Sequence, residues 1–248
     1  MPLPRSVVRS MFLRSFAIQG SWNYRTLLGS GFAYALLPVL RHVYAGDDVA
    51  FQEAVERHTS LFNAHPYLAG VALGAVARME ADGEDPALIE RFKTALRGSL
   101  GTLGDRIIWA GWRPACVLLG MVVLLSTSSA LAGVASFLFV YNVGHLGLRW
   151  WALRTGFEGG RHVGERLREV PLTRWHRLVV TTAAFLLGAA LPLIAAGEFT
   201  ETRVAAPWLS LPAAAAIIGW FAGPSVRLPA LIFLAIVTIA GFLVHLIS

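Results

Sequence analysis

From Pro114 to Val143 the chain runs for thirty residues without a charged side chain or a histidine. As a helix at 1.5 Å per residue that stretch would be about 45 Å long, enough to cross a hydrocarbon core of ~30 Å even when tilted. Leu178–Gly197, Pro207–Gly223 and Leu228–Ile247 supply three more apolar runs, the third of the four being short and flanked by proline. Composition points the same way. The 248 residues are 56% hydrophobic and 15% charged, against about 25% charged in a soluble domain. A soluble surface built from them would expose large apolar patches, and so apolar a chain does not stay disordered. The expected fold is an all-α integral membrane protein, with N-terminal amphipathic and re-entrant or broken helices followed by about four transmembrane helices.

The break at Arg113–Pro114 divides the chain into residues 1–113 and 114–248. The first part holds twelve basic residues and ten of the fifteen acids, without an unbroken apolar run of spanning length. Between the first two long runs, Gly144–Arg177 carries seven arginines against three glutamates, whereas the segment after Gly197 carries Arg203 against Glu198 and Glu201. The positive-inside rule puts 144–177 in the cytoplasm and the later segment outside. Although basic residues outnumber acids 21 to 15, Lys93 is the sole lysine and the arginines flank apolar runs, a pattern of membrane flanks rather than of nucleic-acid binding.

In the first part, Val8, Phe12, Leu13 and Phe16 share a helical face with Arg5, Arg9 and Arg14 elsewhere, which predicts an interfacial helix at an anionic membrane surface. It lacks the apolar core of a secretory signal. Gly29–Leu40 and Pro66–Ala77 are too short to span. They fit re-entrant segments lining a buried site and packed helices of an extramembrane domain equally well. Ala81–Arg97 predicts a polar turn and then a solvated cytoplasmic helix, its acids leading and its cations trailing as the helix dipole favours.

Catalytic signals are sparse. The lone Cys116 forms no internal disulfide, and the seven histidines include no H-x-x-x-H pair with a neighbouring Glu. No nucleophile elbow or phosphate-binding glycine loop occurs, so neither a metal nor a cofactor is expected. Four polar clusters stand out instead: Gln19–Tyr24, Asn63–Tyr67, Gly101–Arg106 and Tyr141–Trp150. In the first, the amides of Gln19 and Asn23 and the hydroxyl of Ser21 suit sugar hydroxyls, and the Trp22 indole suits the C–H face of a pyranose ring. The same residues would also serve as helix caps and an aromatic belt.

The stretches RSFAIQGSWNYRTLLGSGFAYALLPVL, FNAHPYLAG, ALRGSLGTLGDRIIWAGWRP and YNVGHLGLRWWALRTGFEGG together resemble the IID subunit of the mannose/fructose/sorbose-type phosphotransferase system (PTS), in the family's order and at similar spacing over about residues 9–160. The resemblance implies a multi-pass subunit of the bacterial inner membrane that is not an enzyme by itself. With a IIC membrane subunit it would form the path for a mannose/fructose/sorbose-class hexose, phosphorylated on entry through IIA and IIB relay proteins. It implies oligomeric assembly, contact with membrane lipid, and an N-terminal half, 1–113, that lines the substrate path. Gln19, Ser21, Trp22 and Asn23 become the substrate-binding candidates, and Asn63, His65, Asp105, Asn142 and His145 the path-lining ones. Arg25 stands where the family usually has Glu, and Arg106 where it usually has Ser. The competing reading is therefore a non-transporting membrane scaffold derived from the same family.

Overall fold

Two glycines, one residue apart, decide how the N-terminal third packs. A side chain on Gly29 would collide with the carbonyl oxygen of Ser60, and one on Gly31 with that of Ile18. Glycine lets both chain segments pass against the start of the same helix. The computed structural model describes residues 2–198, and these are almost entirely helical. The expected runs Pro207–Gly223 and Leu228–Ile247 lie outside the described residues. The chain forms two compact units, Met1–Arg106 with Val143–Pro171, and Ile107–Asn142 with Leu172–Ser248.

In the first unit, α1 (Arg5–Ser15) lies on α2 (Gly29–Val43), which also meets α3 (Asp48–Thr59) and α4 (Ala69–Ala81). Asp47 caps α3 by accepting from the Ala50 N–H at 3.0 Å, the usual remedy for orphan donors at a helix start. Twelve of the thirteen residues of α4 are buried. A helix buried on nearly every side belongs at the centre of its domain, and α4 is the centre of this one. Its Gly70 and Gly74 face Ala152, Leu153 and Gly156, and a side chain on Gly156 would in turn meet the Val71 carbonyl. Small residues four apart on both helices allow this backbone approach, as in membrane helix pairs. The polar turn expected near Asp82 is present, with Gly83 at φ 71°. It leads into α5 (Pro86–Gly104), capped by Asp85 and opened by Pro86.

The apolar face expected on α1 is partly taken up by protein. Phe12 meets Trp150 edge-on at 5.2 Å between centroids, and Phe16 meets His145 at 5.9 Å.

The second unit corrects the first expected span. Helix is continuous from Pro86 to Thr127 and again from Ala130 to Glu169, each long and apolar enough to cross a bilayer. The chain turns between them at Ser128, which adopts φ 54°. The charge-free run is thus a hairpin of α6 (Arg113–Thr127) and the start of α7 (Ala130–Gly159), not one crossing. Gly120 and Gly133 let the two arms touch, since a side chain on either would strike the other's carbonyl oxygen. α9 (Leu172–Glu198) packs along α6.

Gly144–Arg177, expected as a loop, is also largely helical. α7 runs on to Gly159 and is followed by a 3-10 turn, Gly160–His162, and by α8 (Val163–Glu169). Charge alone does not stop a helix, and no proline intervenes before Pro171. Along this segment Glu158 accepts from Arg154 at 2.6 Å and from Arg166 at 3.0 Å.

Candidate functional site

The segment between α1 and α2 is a surface loop held by its own polar side chains. Asn23 is its organiser. The Asn23 side-chain oxygen accepts from the backbone N–H groups of Arg25 and Thr26, at 3.0 and 2.9 Å. Its amide nitrogen donates to the Ser21 carbonyl at 3.1 Å and to Thr26 Oγ1 at 2.8 Å. Two donors and two lone pairs are the full capacity of an amide. Ser21 and Ser30 pair through their hydroxyls at 2.7 Å. Leu27, at φ 52°, bridges both Asn23 and Phe62. The Leu28 N–H then donates to the Phe62 carbonyl at 2.9 Å, so the loop is tied to the segment before α4.

What this framework leaves outward is Gln19, Trp22 and Tyr24. All three are exposed, and the two rings meet edge-on at 4.9 Å. Asn63 is exposed next to the tethering Phe62. An amide beside a pair of exposed aromatic rings is a surface suited to a neutral, hydroxyl-bearing ligand.

Four further groups converge behind the loop. His145 stacks on Tyr67 with centroids 4.2 Å apart, and Tyr67 meets His65 edge-on at 5.0 Å. Arg149 donates to His145 Nε2 at 2.7 Å and to the Ser15 carbonyl at 2.9 Å. Its guanidinium lies 4.9 Å from the centres of both the Phe16 and Tyr67 rings, within the range of cation–π attraction. His65 is fully buried, and burial, with the Arg149 charge second, lowers its pKa to about 4. It is therefore neutral at physiological pH and accepts the Tyr67 N–H on Nδ1 at 3.2 Å. Gly104 comes so close to the His65 ring that a side chain there would overlap it; the exposed Asp105 follows.

The structure thus gathers Gln19–Asn23 with Asn63, and His65 with His145. Asn142 belongs to the other unit and donates back to the Leu138 carbonyl of its own helix at 2.7 Å. Tyr67 and Arg149 fall within two of the polar clusters visible in the sequence but were not among its candidate site residues. That arginine sits one helical turn after His145, a spacing that was open to inspection.

Sequence reasoning missed a buried ionic cluster. Glu80 accepts from Tyr44 Oη at 2.6 Å, Arg57 at 2.8 Å and His58 Nε2 at 2.7 Å. Lys93 Nζ caps the end of α3, donating to the Arg57 and His58 carbonyls and to Ser60 Oγ. Burial pushes the Glu80 carboxyl upward, but the donors from His58, Arg57 and Tyr44 outweigh it and hold the pKa at about 2. Burial and Glu80 together raise Tyr44 to about 12. Burial keeps His58 neutral, so Nε2 carries the proton it gives to Glu80. This cluster joins four helices of one unit and contains no nucleophile–base pair aimed at solvent.

Residues 2–196 match the sequence profile described as the PTS system mannose/fructose/sorbose family IID component. The mannose-specific EIID component of Escherichia coli K12 is 33% identical over 163 residues, 64% of this chain and 57% of that protein. The fructose permease IID component of Bacillus subtilis 168 is 30% identical over 191 residues, 75% of this chain and 66% of that one. The sorbose-specific component of Klebsiella pneumoniae is 34% identical over 161 residues, 62% and 57%. The matched region therefore spans less than two thirds of each relative's length. In structure, the chain is similar to one in the complex of the mannose transporter ManYZ with microcin E492, with a TM-score of 0.61 over 97% of both chains at 24% identity. That similarity establishes the fold.

Proposed function

Because the chain belongs to the IID component family of the mannose/fructose/sorbose phosphotransferase system, we propose that it forms, with a IIC-type membrane subunit, the path for a hexose of that class in the bacterial inner membrane. Phosphate would reach the sugar through IIA and IIB proteins, and this chain would contribute binding and movement rather than bond chemistry. The observation that carries the reading is the loop Gln19–Tyr24. Its backbone is fixed by Asn23 and Ser21, and it presents an amide and two rings on a rigid base. Preorganisation of this kind lowers the entropy a ligand must overcome. Gln19 and Trp22 are then the groups that meet sugar, while Asn23 and Ser21 hold them in place. His65, His145, Asn63 and Asp105 lie around the loop's supports, and Asn142 lies on the other unit.

The test is co-expression with a IIC-type subunit, purification of the complex, and titration with mannose, fructose and sorbose. Gln19→Ala and Trp22→Ala should each weaken binding about tenfold to a hundredfold, the worth of one or two hydrogen bonds or a stacked ring, with assembly intact. Unchanged affinity in both assembled variants would place the site elsewhere. Absence of any sugar binding by the intact complex would favour the scaffold reading, which Arg25 and Arg106 keep in view.

A further inference from the structure

Along the outer side of α1 lies an open-sided cavity of about 670 Å³ that extends to Ala17, just before the Gln19–Tyr24 loop. Arg5 and Arg9 line it one helical turn apart, Ser6 and Ser10 likewise, with Arg14 beyond them and Tyr34 of α2 as its far wall. The Arg14 guanidinium sits 4.8 Å above the Tyr34 ring, which fixes one cation at the edge of the cavity. No acidic side chain lines it, and the first acid in the sequence is Asp47.

We infer that this cavity binds the phosphate headgroup of an anionic phospholipid. Charge complementarity gives the sign of the ligand, because three arginines face one space with no internal counter-charge among its walls. Guanidinium forks and hydroxyls suit phosphate oxygens. The form of the site favours a lipid over a free ion. Leu13 lines the same cavity and is 58% exposed, so an apolar surface continues from the cationic one, as a headgroup followed by an acyl chain requires. The helix face that would otherwise enter the bilayer is occupied in part, Phe12 being held against Trp150. The arginine face is what α1 presents to a membrane surface. The inference does not rest on the reading proposed for the Gln19–Tyr24 loop.

The experiment uses the full chain, with any subunit that co-purifies, in an uncharged detergent. Its melting midpoint is followed while dihexanoyl phosphatidylglycerol, dihexanoyl phosphatidylcholine or inorganic phosphate is added. Each arginine near an anionic surface is worth about fivefold in affinity. Phosphatidylglycerol should therefore raise the midpoint, and the Arg5→Gln/Arg9→Gln variant should need about 25-fold more of it. Both arginines are exposed, so the unliganded melt of that variant should match the wild type. Arg41→Gln, on an exposed position outside the cavity, should leave the titration unchanged. Equal response to phosphatidylcholine, or an unaltered titration in the double variant, would overturn the site. Stabilisation by inorganic phosphate at the same concentrations would overturn its assignment to lipid.

Discussion

Replacing Glu80 by Gln removes one charge and almost no volume from the buried cluster. The amide oxygen can still accept from Arg57 and His58, and the amide nitrogen can donate to Tyr44, so the number of hydrogen bonds is nearly kept. What is lost is the negative charge facing a guanidinium only 13% exposed. Two routes give the size of that loss. Breaking a buried pair by removing one partner costs about 3–5 kcal/mol, because an uncompensated charge is left inside. Separately, a carboxyl held at about 2 rather than 4.5 gains about 3 kcal/mol from folding, at 1.36 kcal/mol per pH unit. The routes agree at about 3 kcal/mol, which for a chain of this size lowers the melting midpoint by about 6–12 °C.

The pH dependence follows from the sign. A depressed carboxyl stabilises fully above its unfolded value of 4.5 and loses that contribution as pH falls toward 2. His58, held neutral by burial, adds a separate loss from about pH 6.5 downward, since the unfolded chain then binds a proton that the folded one refuses. The assay is thermal unfolding of wild type and Glu80→Gln in the same detergent between pH 7.5 and 3. The gap should be full at pH 7.5 and should narrow below pH 4.5. A gap under about 1 kcal/mol at pH 7.5, or one unchanged at pH 3, would refute the electrostatic account of the cluster.

Two further outcomes are expected. Gly156→Ala should destabilise the first unit by about 1–3 kcal/mol through overlap with Val71 and Ala75 of α4. Gly147→Ala, where nothing lies within 4 Å, should be neutral or stabilising by up to about 1 kcal/mol; equal melting shifts in the two variants would remove the packing argument. In a Cys116→Ala background, a membrane-impermeant thiol reagent applied to intact cells should label a cysteine at Ser128 and spare cysteines at Glu84 and Arg161. Failure to label Ser128, or labelling of only one of the other two, would refute the out-and-back course of the hairpin.

The sequence shows most clearly what depends on local pattern. The charge-free run, the turn before Pro86 and the polar Gln19–Tyr24 segment are all visible in it, and each depends on neighbours a few residues away. The fold-back at Ser128 is not visible. Ser126–Ser129 are four hydroxyl residues that can bond back into a helix as readily as end one, as Thr127 does to the Val123 carbonyl at 2.7 Å. Nor is the Glu80 cluster, whose partners come from positions 44, 57, 58 and 93 on three other elements. Glu80 is the one acid in a largely apolar helix, which marks it as in need of partners without saying which. Asn23 is the instructive case within the candidate site. Residue type alone allows it to serve a ligand or the backbone, and its amide makes three hydrogen bonds to the backbone and one to Thr26 Oγ1.

The hairpin also resolves a tension in the charge pattern. Ala81–Arg97 and Gly144–Arg177 both read as cytoplasmic, yet a single crossing between them would put them on opposite faces of the membrane. In the structure both ends of Ile107–Asn142 return to the same compact unit. Glu84 and Arg161 form an ion pair at 3.3 Å, and Arg149 reaches the Ser15 carbonyl at 2.9 Å. The ion pair joins side chains 24% (Glu84) and 57% (Arg161) exposed, so it contributes little stability, but its ends cannot lie on opposite sides of a core ~30 Å thick. If the two arms joined at Ser128 each cross, both ends return to one side, as this pair requires. On that arrangement the arginines of the first 106 residues would add to those between 144 and 171 in the same unit, and the bias orienting the chain would exceed what the later segment alone supplies. The arginine-lined cavity on α1 belongs to that same unit, and the positive-inside rule would then turn it toward the anionic cytoplasmic leaflet.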